Sequence, residues 1–235
     1  MSTSLIAARI EECASEPQES FSRLPRDFFT RDGIALAKDL LGKILVHHTR
    51  IGVIRGVITE VESYMGEEDK GSHTYGGRRT ERTEPMYHIG GTSYVYLIYG
   101  MYSCMNIAAM TEGIPQAVLI RSVVPADEVS RQRMYELRLA ARKVKNAEKK
   151  NQSPNKRNAE QAYKNLQKHL ADGPGKMCIA MDITRADNDI DMVESDVFYV
   201  TEGLEVPMSC VKAGKRIGID YAEEAADYLW RFYLE

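Results

Sequence analysis

The stretch SYVYLIYGMYSCMN, Ser93 to Asn106, holds four of the chain's 13 tyrosines and sets the kind of fold to expect. Alternating residues on either side of Gly100 predict two strands, SYVYLIY and YSCMNIAAM, that meet at a turn. Tyr94 and Tyr96 then share one face, whereas Tyr99 stands out from the surface beside the turn. A buried tyrosine needs a partner for its hydroxyl, so these rings either pack a core or stack on a flat ligand. Stacking on a nucleic-acid base contributes roughly 1–3 kcal/mol.

The segments around this hairpin predict a single α+β domain, with an antiparallel or mixed sheet flanked by helices. Asp32 is a candidate cap for a first helix that ends at Gly42. The other predicted helices lie in PADEVSRQRMYELRLAARKV and GPGKMCIAMDI. The remaining predicted strands are KILVHHT, GVIRGVITEVESY, QAVLIRSVV, DVFYVTE, KRIGID and LWRFYL.

Composition narrows the class of protein. Four scattered cysteines without a Cys-x-x-Cys pair argue against a disulfide scaffold or a zinc module and favour a reducing, intracellular compartment. The N-terminus does not resemble a secretory signal, and the most apolar window is too short to cross a bilayer, so we expect no membrane association. No metal site is expected, because His47 and His48 are neighbours on a strand and point in opposite directions.

Charge is distributed unevenly although the formal net charge is only −3. Residues 121–168 contain 13 Lys and Arg against 5 Asp and Glu, and residues 181–235 contain 5 against 13. A basic block of this kind is typical of a nucleic-acid footprint, with a solvated helix face as the alternative. Within it, residues 145–170 read as a basic, mobile insertion with some helix.

The strand GVIRGVITEVESY carries a candidate site. Alternation places Glu60, Glu62 and Tyr64 on one face, and a glycine-rich loop with His73 follows the strand. A carboxylate beside a tyrosine at a strand end can serve acid–base chemistry. The alternative is that both glutamates are ordinary charges facing solvent.

Three motifs in this order, EVESYMGEEDKGSH, YVYLIYGMYSCMN and GPGKMC, closely resemble the alkyladenine (3-methylpurine) DNA glycosylases, and the similarity runs from about Phe21 to Tyr233. The resemblance implies a single α+β domain over residues 21–235 with a curved, mostly antiparallel sheet, preceded by an extension at 1–20. It also implies an enzyme whose partner is double-stranded DNA containing damaged purines. We expect this enzyme to be a monomer and to use no cofactor. Such enzymes swing the purine out of the helix and hydrolyse its bond to the sugar.

The same resemblance implies roles for residues of the pocket. Glu62 matches the glutamate that activates the attacking water, and Arg121 matches a basic residue close to that water and to the target phosphate. Tyr64 and His73 match one wall of the base pocket, and Tyr96 matches the ring on the opposite side.

Three further positions match residues that meet the DNA or screen the base. Asn106 matches the asparagine that guards the pocket against normal guanine. Tyr99, together with Met101, matches the side chains that enter the minor groove and fill the vacated space.

Two other functions remain compatible with the sequence. A non-catalytic nucleic-acid-binding protein would keep the tyrosines and the basic helix, and a small-molecule N-ribosyl hydrolase would use the same carboxylate without a groove plug. Because no lysine lies within the pocket motifs, Lys70 being the nearest, we expect a monofunctional enzyme without lyase activity.

Overall fold

The computed structural model describes residues 21–98, 100–148 and 165–235. The α-helices whose bounds lie within these ranges are α1 Arg26–Phe29, α2 Gly33–Leu40, α3 Glu128–Glu148 and α4 Pro174–Ala180, and residues 165–168 are helical as well. The strands are β1 Ile44–Thr49, β2 Gly52–Tyr64, β3 Ser93–Ile98, β4 Tyr102–Ala109, β5 Gln116–Pro125, β6 Phe198–Thr201, β7 Val211–Gly214 and β8 Arg231–Leu234. None of the helices in the described ranges combines the length and apolar composition that a bilayer crossing requires.

All eight strands join one antiparallel sheet, in which the path β3-β4-β5-β2-β1-β6 is extended by β8 and β7. The long strand β2 is the centre of the sheet. Along one edge it pairs first with β1 and then, at Glu60–Glu62, with β8, while β5 runs along its other edge. The register with β5 shifts on both sides of Glu60, which marks a β-bulge. Bulges bend a strand and increase its twist, in agreement with the curved sheet that was expected.

Helix α2 begins where the sequence predicted. The carboxylate of Asp32 accepts hydrogen bonds from Ile34 N (2.9 Å) and Ala35 N (3.2 Å), which satisfies two of the free amides of the first turn. Leu36 and Leu40 lie on the buried face of the helix, in the main core that packs between the helices and the sheet. Helices α3 and α4 pack on each other, α3 packs on β2 and β5, and α4 packs on β4 and β5.

The prediction of a single α+β domain with a mainly antiparallel sheet is confirmed, as are most of its elements. The strand predicted at KRIGID is wrong, because residues 215–220 form a loop and the strand lies just before it, at Val211–Gly214. Gly218 has a φ of +81°, which ordinary strand residues avoid, and Arg216 turns inward to a buried partner. The extension at 1–20 and most of the basic insertion lie outside the described residues.

Candidate active site

A cavity of about 280 Å³ opens beside the centre of the sheet. Its volume lies just below the roughly 300–1,000 Å³ typical of ligand pockets, so it suits one base-sized group. Its lining is rich in aromatic and polar side chains. The lining residues are Tyr64, Gly71, Ser72, His73, Arg82, Met86, Tyr94, Tyr96, Ile98, Cys104, Asn106, Leu119, Arg121, Pro174, Ile217, Gly218, Ile219 and Tyr221.

One transverse row of the sheet builds the site. Tyr94 of β3 pairs with Asn106 of β4, Asn106 with Leu119 of β5, and Leu119 with Glu62 of β2. Directly paired residues of neighbouring strands point to the same face, so the row brings four strands to one place. The adjacent rows supply Tyr64, Tyr96 and Arg121 two residues away on their strands.

Glu62 has no exposed surface. It lies directly behind three of the lining residues, Tyr64, Arg121 and Ile217, and contacts each of them. Its Oε2 accepts a hydrogen bond from the Tyr64 hydroxyl (2.9 Å), and its Oε1 accepts one from the Ile217 amide (2.8 Å). Arg121 Nη1 approaches Oε1 at 3.2 Å. Because a carboxylate offers about four acceptor positions, this arrangement leaves one position on Oε2 free.

Two arginines and a second carboxylate surround Glu62. Glu60 Oε1 accepts hydrogen bonds from Arg121 Nε and from Arg231 Nη1, both at 2.9 Å. The bulge at Glu60 thus brings two carboxylates and two guanidinium groups together, and their formal charges balance. The interpretation of Glu60 as an ordinary solvent-facing charge is therefore wrong.

Burial raises the pKa of Glu62 above its ordinary value, because the charged form is poorly solvated in this position. The positive charge of Arg121 and the hydrogen bonds from Ile217 N and Tyr64 OH act in the opposite direction. Burial is the largest cause, so the carboxyl group titrates above the range of an exposed glutamate.

His73 and Tyr96 lie side by side on one wall of the cavity. Their ring centroids are 4.7 Å apart in an edge-on arrangement, and His73 Nδ1 hydrogen-bonds to the Tyr94 hydroxyl at 2.9 Å. The expectation that His73 and Tyr96 face each other across the pocket is wrong, because rings in contact leave no room for a base between them. Burial, with further contributions from the charges of Arg82 and Arg78, lowers the pKa of His73 to about 4.

Asn106 is 4% exposed and its Nδ2 donates a hydrogen bond to the carbonyl oxygen of Tyr94 (3.0 Å). The side-chain amide is therefore held in one orientation at the edge of the cavity that it lines.

The turn between β3 and β4 presents apolar surface to solvent. Met101 N donates to Ile98 O (3.2 Å) and closes the turn, Gly100 has a φ of +67°, and Met101 is 68% exposed. Tyr99 lies outside the described residues. Met101 is thus exposed at the tip of the hairpin, and its insertion into DNA stays a prediction.

Comparison with known proteins connects this geometry to a family. The family model "Methylpurine-DNA glycosylase (MPG)" matches residues 27–235. The chain belongs to the methylpurine-DNA glycosylase family. The prediction made from the three motifs is confirmed at that level, and with it the enzyme class.

Relatives of the glycosylase cover nearly the whole chain. A protein of Clostridium acetobutylicum is 46% identical over 215 residues, which are 91% of this chain and 94% of the relative. A protein of Clostridioides difficile is 42% identical over 227 residues, 90% of this chain and 100% of the relative. Both carry the assigned name 3-methyladenine DNA glycosylase.

The loop after β7 contributes to the site of this glycosylase in a way that was not predicted from the sequence. Ile217 donates its amide to Glu62, and Gly218 and Tyr221 line the cavity. The buried Asp69–Arg216 pair was missed as well. Gly218 was the available signal, because a glycine inside an alternating apolar segment often marks a place where another group approaches closely.

Within the described ranges, no group of three or more His, Cys, Asp or Glu side chains is arranged to hold a metal ion. The buried His47 instead hydrogen-bonds through Nδ1 to Met181 O (2.8 Å), and its Nε2 lies 3.4 Å from Asp187.

Proposed function

We propose that the protein is a monofunctional, intracellular DNA glycosylase that acts as a monomer on damaged purines in duplex DNA. Its substrates are purines alkylated at N3 or N7, with hypoxanthine and ethenoadenine as further candidates. The observation that carries the proposal is the fully buried carboxylate of Glu62 directly behind a base-sized cavity lined by aromatic rings.

Glu62 serves as general base and as the counter-charge of the reaction. Breaking an N-glycosidic bond builds positive charge on the sugar, as in other glycoside hydrolysis. The free acceptor position on Oε2 suits a water molecule, and the carboxylate takes the proton of that water as it attacks C1′. Arg121, at 3.2 Å from the other oxygen, opposes the effect of burial and favours the charged carboxylate.

The cavity selects for the base by stacking and by exclusion. His73 and Tyr96 form one wall for a planar purine, and Tyr64 bounds the side nearest Glu62. Electron-rich rings attract a positively charged alkylated purine through cation–π interactions. The fixed amide of Asn106 crowds the exocyclic amine of a normal guanine.

The hairpin turn between β3 and β4 plugs the duplex. Rotating a nucleotide out of the stack costs a few kcal/mol, and the cost is smallest for weakly paired bases. Tyr99 and Met101 fill the space that the nucleotide leaves and so offset part of this cost.

The composition of the pocket supports a hydrolytic mechanism without a lysine Schiff base. Among the described residues that line the cavity there is no lysine. Lys70, the nearest candidate, pairs with Glu223 (2.5 Å) and Glu224 (2.9 Å). The expected product is an abasic site with an intact strand.

The test is a panel of duplexes that each contain one N7-methylguanine, hypoxanthine, ethenoadenine or no lesion. Glu62→Gln keeps the size of the side chain and removes the base, so excision should fall about 10²–10⁴-fold while binding to the lesion duplex persists. Abasic sites are quantified after alkaline cleavage, and strand scission before alkali would contradict the absence of lyase activity.

Glu202→Gln is the matched control, because Glu202 pairs with Lys43 at the surface and is not among the lining residues. Its excision rate should equal that of the wild type. If the wild type binds damaged duplexes but excises no lesion, the non-catalytic binding protein is the correct function instead.

A further inference from the structure

Behind Tyr64 lies an ion pair that has no exposed side-chain surface. Arg216 Nη1 donates to Asp69 Oδ2 (2.5 Å) and Nη2 to Oδ1 (2.7 Å), a bidentate geometry. Asp69 also accepts the backbone amides of Met65 (3.0 Å) and Gly71 (2.9 Å). The pair therefore ties the loop after β2 to the loop after β7.

The two terminal nitrogens of the Arg216 guanidinium are held by hydrogen bonds, whereas its buried Nε has no hydrogen-bond partner among the described residues. Its Cζ lies 4.8 Å from the ring centroid of Tyr64 and 4.9 Å from that of Trp230. Nη1 donates to Ser63 O (3.0 Å) and Nη2 to Ala225 O (3.2 Å). A planar group with four directed hydrogen bonds and two ring contacts can occupy only one position.

This position governs two of the donors that reach Glu62. Arg216 contacts the ring of Tyr64, whose hydroxyl reaches Oε2 of Glu62. Arg216 also immediately precedes Ile217, whose amide reaches Oε1. We infer that Arg216, held by Asp69, is a positioning residue that sets both donors on the Glu62 carboxylate and so keeps it in the reactive orientation.

Stability alone is a weak explanation for such a pair. In many proteins the free energy needed to remove two charges from water is as large as the free energy gained from their attraction. Neutral replacements of both partners are therefore often tolerated. The neutral double variant Asp69→Asn/Arg216→Met is therefore expected to fold, and it separates positioning from folding.

The inference rests on the proposed function, and the pH dependence of excision tests it. The groups that face Glu62 are Glu60 and Tyr64 from β2, Arg121 from β5, Cys104 from β4 and the Ile217 amide. Arg231 is paired with Glu62 in the register of β8 and β2, and its guanidinium binds Glu60. Only Tyr64 OH and the Ile217 amide depend on Arg216. Both favour the charged carboxylate, so their misplacement raises the pKa of Glu62 further.

Glu62 acts in its charged form, so activity is lost as the pH falls through its pKa, and a higher pKa moves this loss to higher pH. Duplexes with N7-methylguanine are the right substrate, because this cationic purine leaves without protonation by a general acid. The acidic limb of the pH profile then reports only the titration of Glu62. In Arg216→Met and in the double variant, we expect the acidic limb of kcat/KM to move up by about one pH unit. The plateau should fall about 10–100-fold.

Arg26→Met is the matched control. Arg26 Nη2 binds both oxygens of Asp191 (2.7 and 2.5 Å), a short pair that is not part of the cavity lining. The control should lower the midpoint of thermal unfolding and leave the acidic limb in place. Arg216→Lys keeps the positive charge but lacks the bidentate guanidinium. Its acidic limb of kcat/KM should lie between those of the wild type and Arg216→Met.

The outcomes separate the two proposals. Folded Arg216 variants whose acidic limb coincides with that of the wild type would overturn the positioning role while the glycosylase remains. Equal excision by the wild type and Glu62→Gln would instead overturn the proposed function.

Discussion

Glu62 and His73 show how burial acts on single residues of opposite charge type. Burial disfavours the charged form of both, so it raises the pKa of the carboxyl and lowers that of the imidazole. Arg121 partly restores the charge of Glu62, whereas Arg82 and Arg78 oppose a charge on His73 even more. Burial thus favours the neutral form of both side chains, and the neighbouring Arg121 opposes this effect at Glu62.

His73 should titrate near pH 4, which nuclear magnetic resonance of its ring protons measures directly. Arg82→Met removes a nearby positive charge and should raise this midpoint. A midpoint close to 6.5 in the wild type would contradict the burial argument.

The same shift links His73 to stability. Below about pH 6.5 His73 binds a proton in the unfolded chain, whereas in the folded state it does so only near pH 4. The free energy of unfolding therefore decreases as the pH falls from about 6.5 to about 4. Between pH 7 and pH 4 the free energy of unfolding of His73→Gln should therefore fall less than that of the wild type, by on the order of 2 kcal/mol. Denaturant unfolding at both pH values tests this.

At the level of residues, alternation along one strand was enough to join Glu62 to Tyr64. This alternation could not predict which residues of other strands contact the carboxylate, because the pairing register is set by the whole sheet. Arg216 illustrates the limit, since a charged residue in an apolar segment is ordinarily taken to be solvated.

The β3–β4 hairpin is the element that was best predicted, because it is local. Its tyrosines alternate, Gly100 permits the positive φ of the turn, and the strands pair directly. The strand predicted at residues 215–220 was wrong for the opposite reason, because this segment is shaped by distant residues. Its conformation depends on Asp69 and Glu62, which lie 147 and 155 residues away in the chain.

The hairpin turn gives a test of the duplex requirement. Tyr99→Ala and Met101→Ala should each lower excision from duplexes about tenfold, because less of the vacated space is filled. Met208→Ala is the matched control, since Met208 is 60% exposed and is not among the lining residues. Duplex excision that is unchanged in all three variants would contradict the role of this turn in filling the vacated space.

On the scale of the whole molecule, the basic block reaches the site through helix packing. Helix α3 carries part of residues 121–168 and packs on α4, whose first residue, Pro174, lines the cavity. The order of the strands was beyond sequence reasoning, because β2 accepts both β1 and β8 along one edge. The class of the fold was within reach, since hairpin-length connections favour antiparallel pairing.

Binding to duplex DNA should depend strongly on salt. Each phosphate contact contributes a slope of about −0.9 to the logarithm of affinity against the logarithm of salt concentration. Replacing Lys143, Lys145, Lys149 and Lys150 by alanine should reduce the slope by about one unit per lost contact. A flat response of the wild type would reject the basic footprint.

Arg31→Ala and Lys43→Ala are the controls for this series, because these cations pair with Asp39 and Glu202. They should change the slope less than the four-lysine variant does.

The hydrogen bond from Ile217 to Glu62 spans 155 positions of the chain. On a ribosome that adds roughly 5–20 residues per second, the carboxylate emerges on the order of ten seconds or more before its amide partner. During that interval the nascent polypeptide has the acid but not the arrangement that orients it. The hydrogen-bonded arrangement around Glu62 is therefore among the last features of the fold to be completed during synthesis.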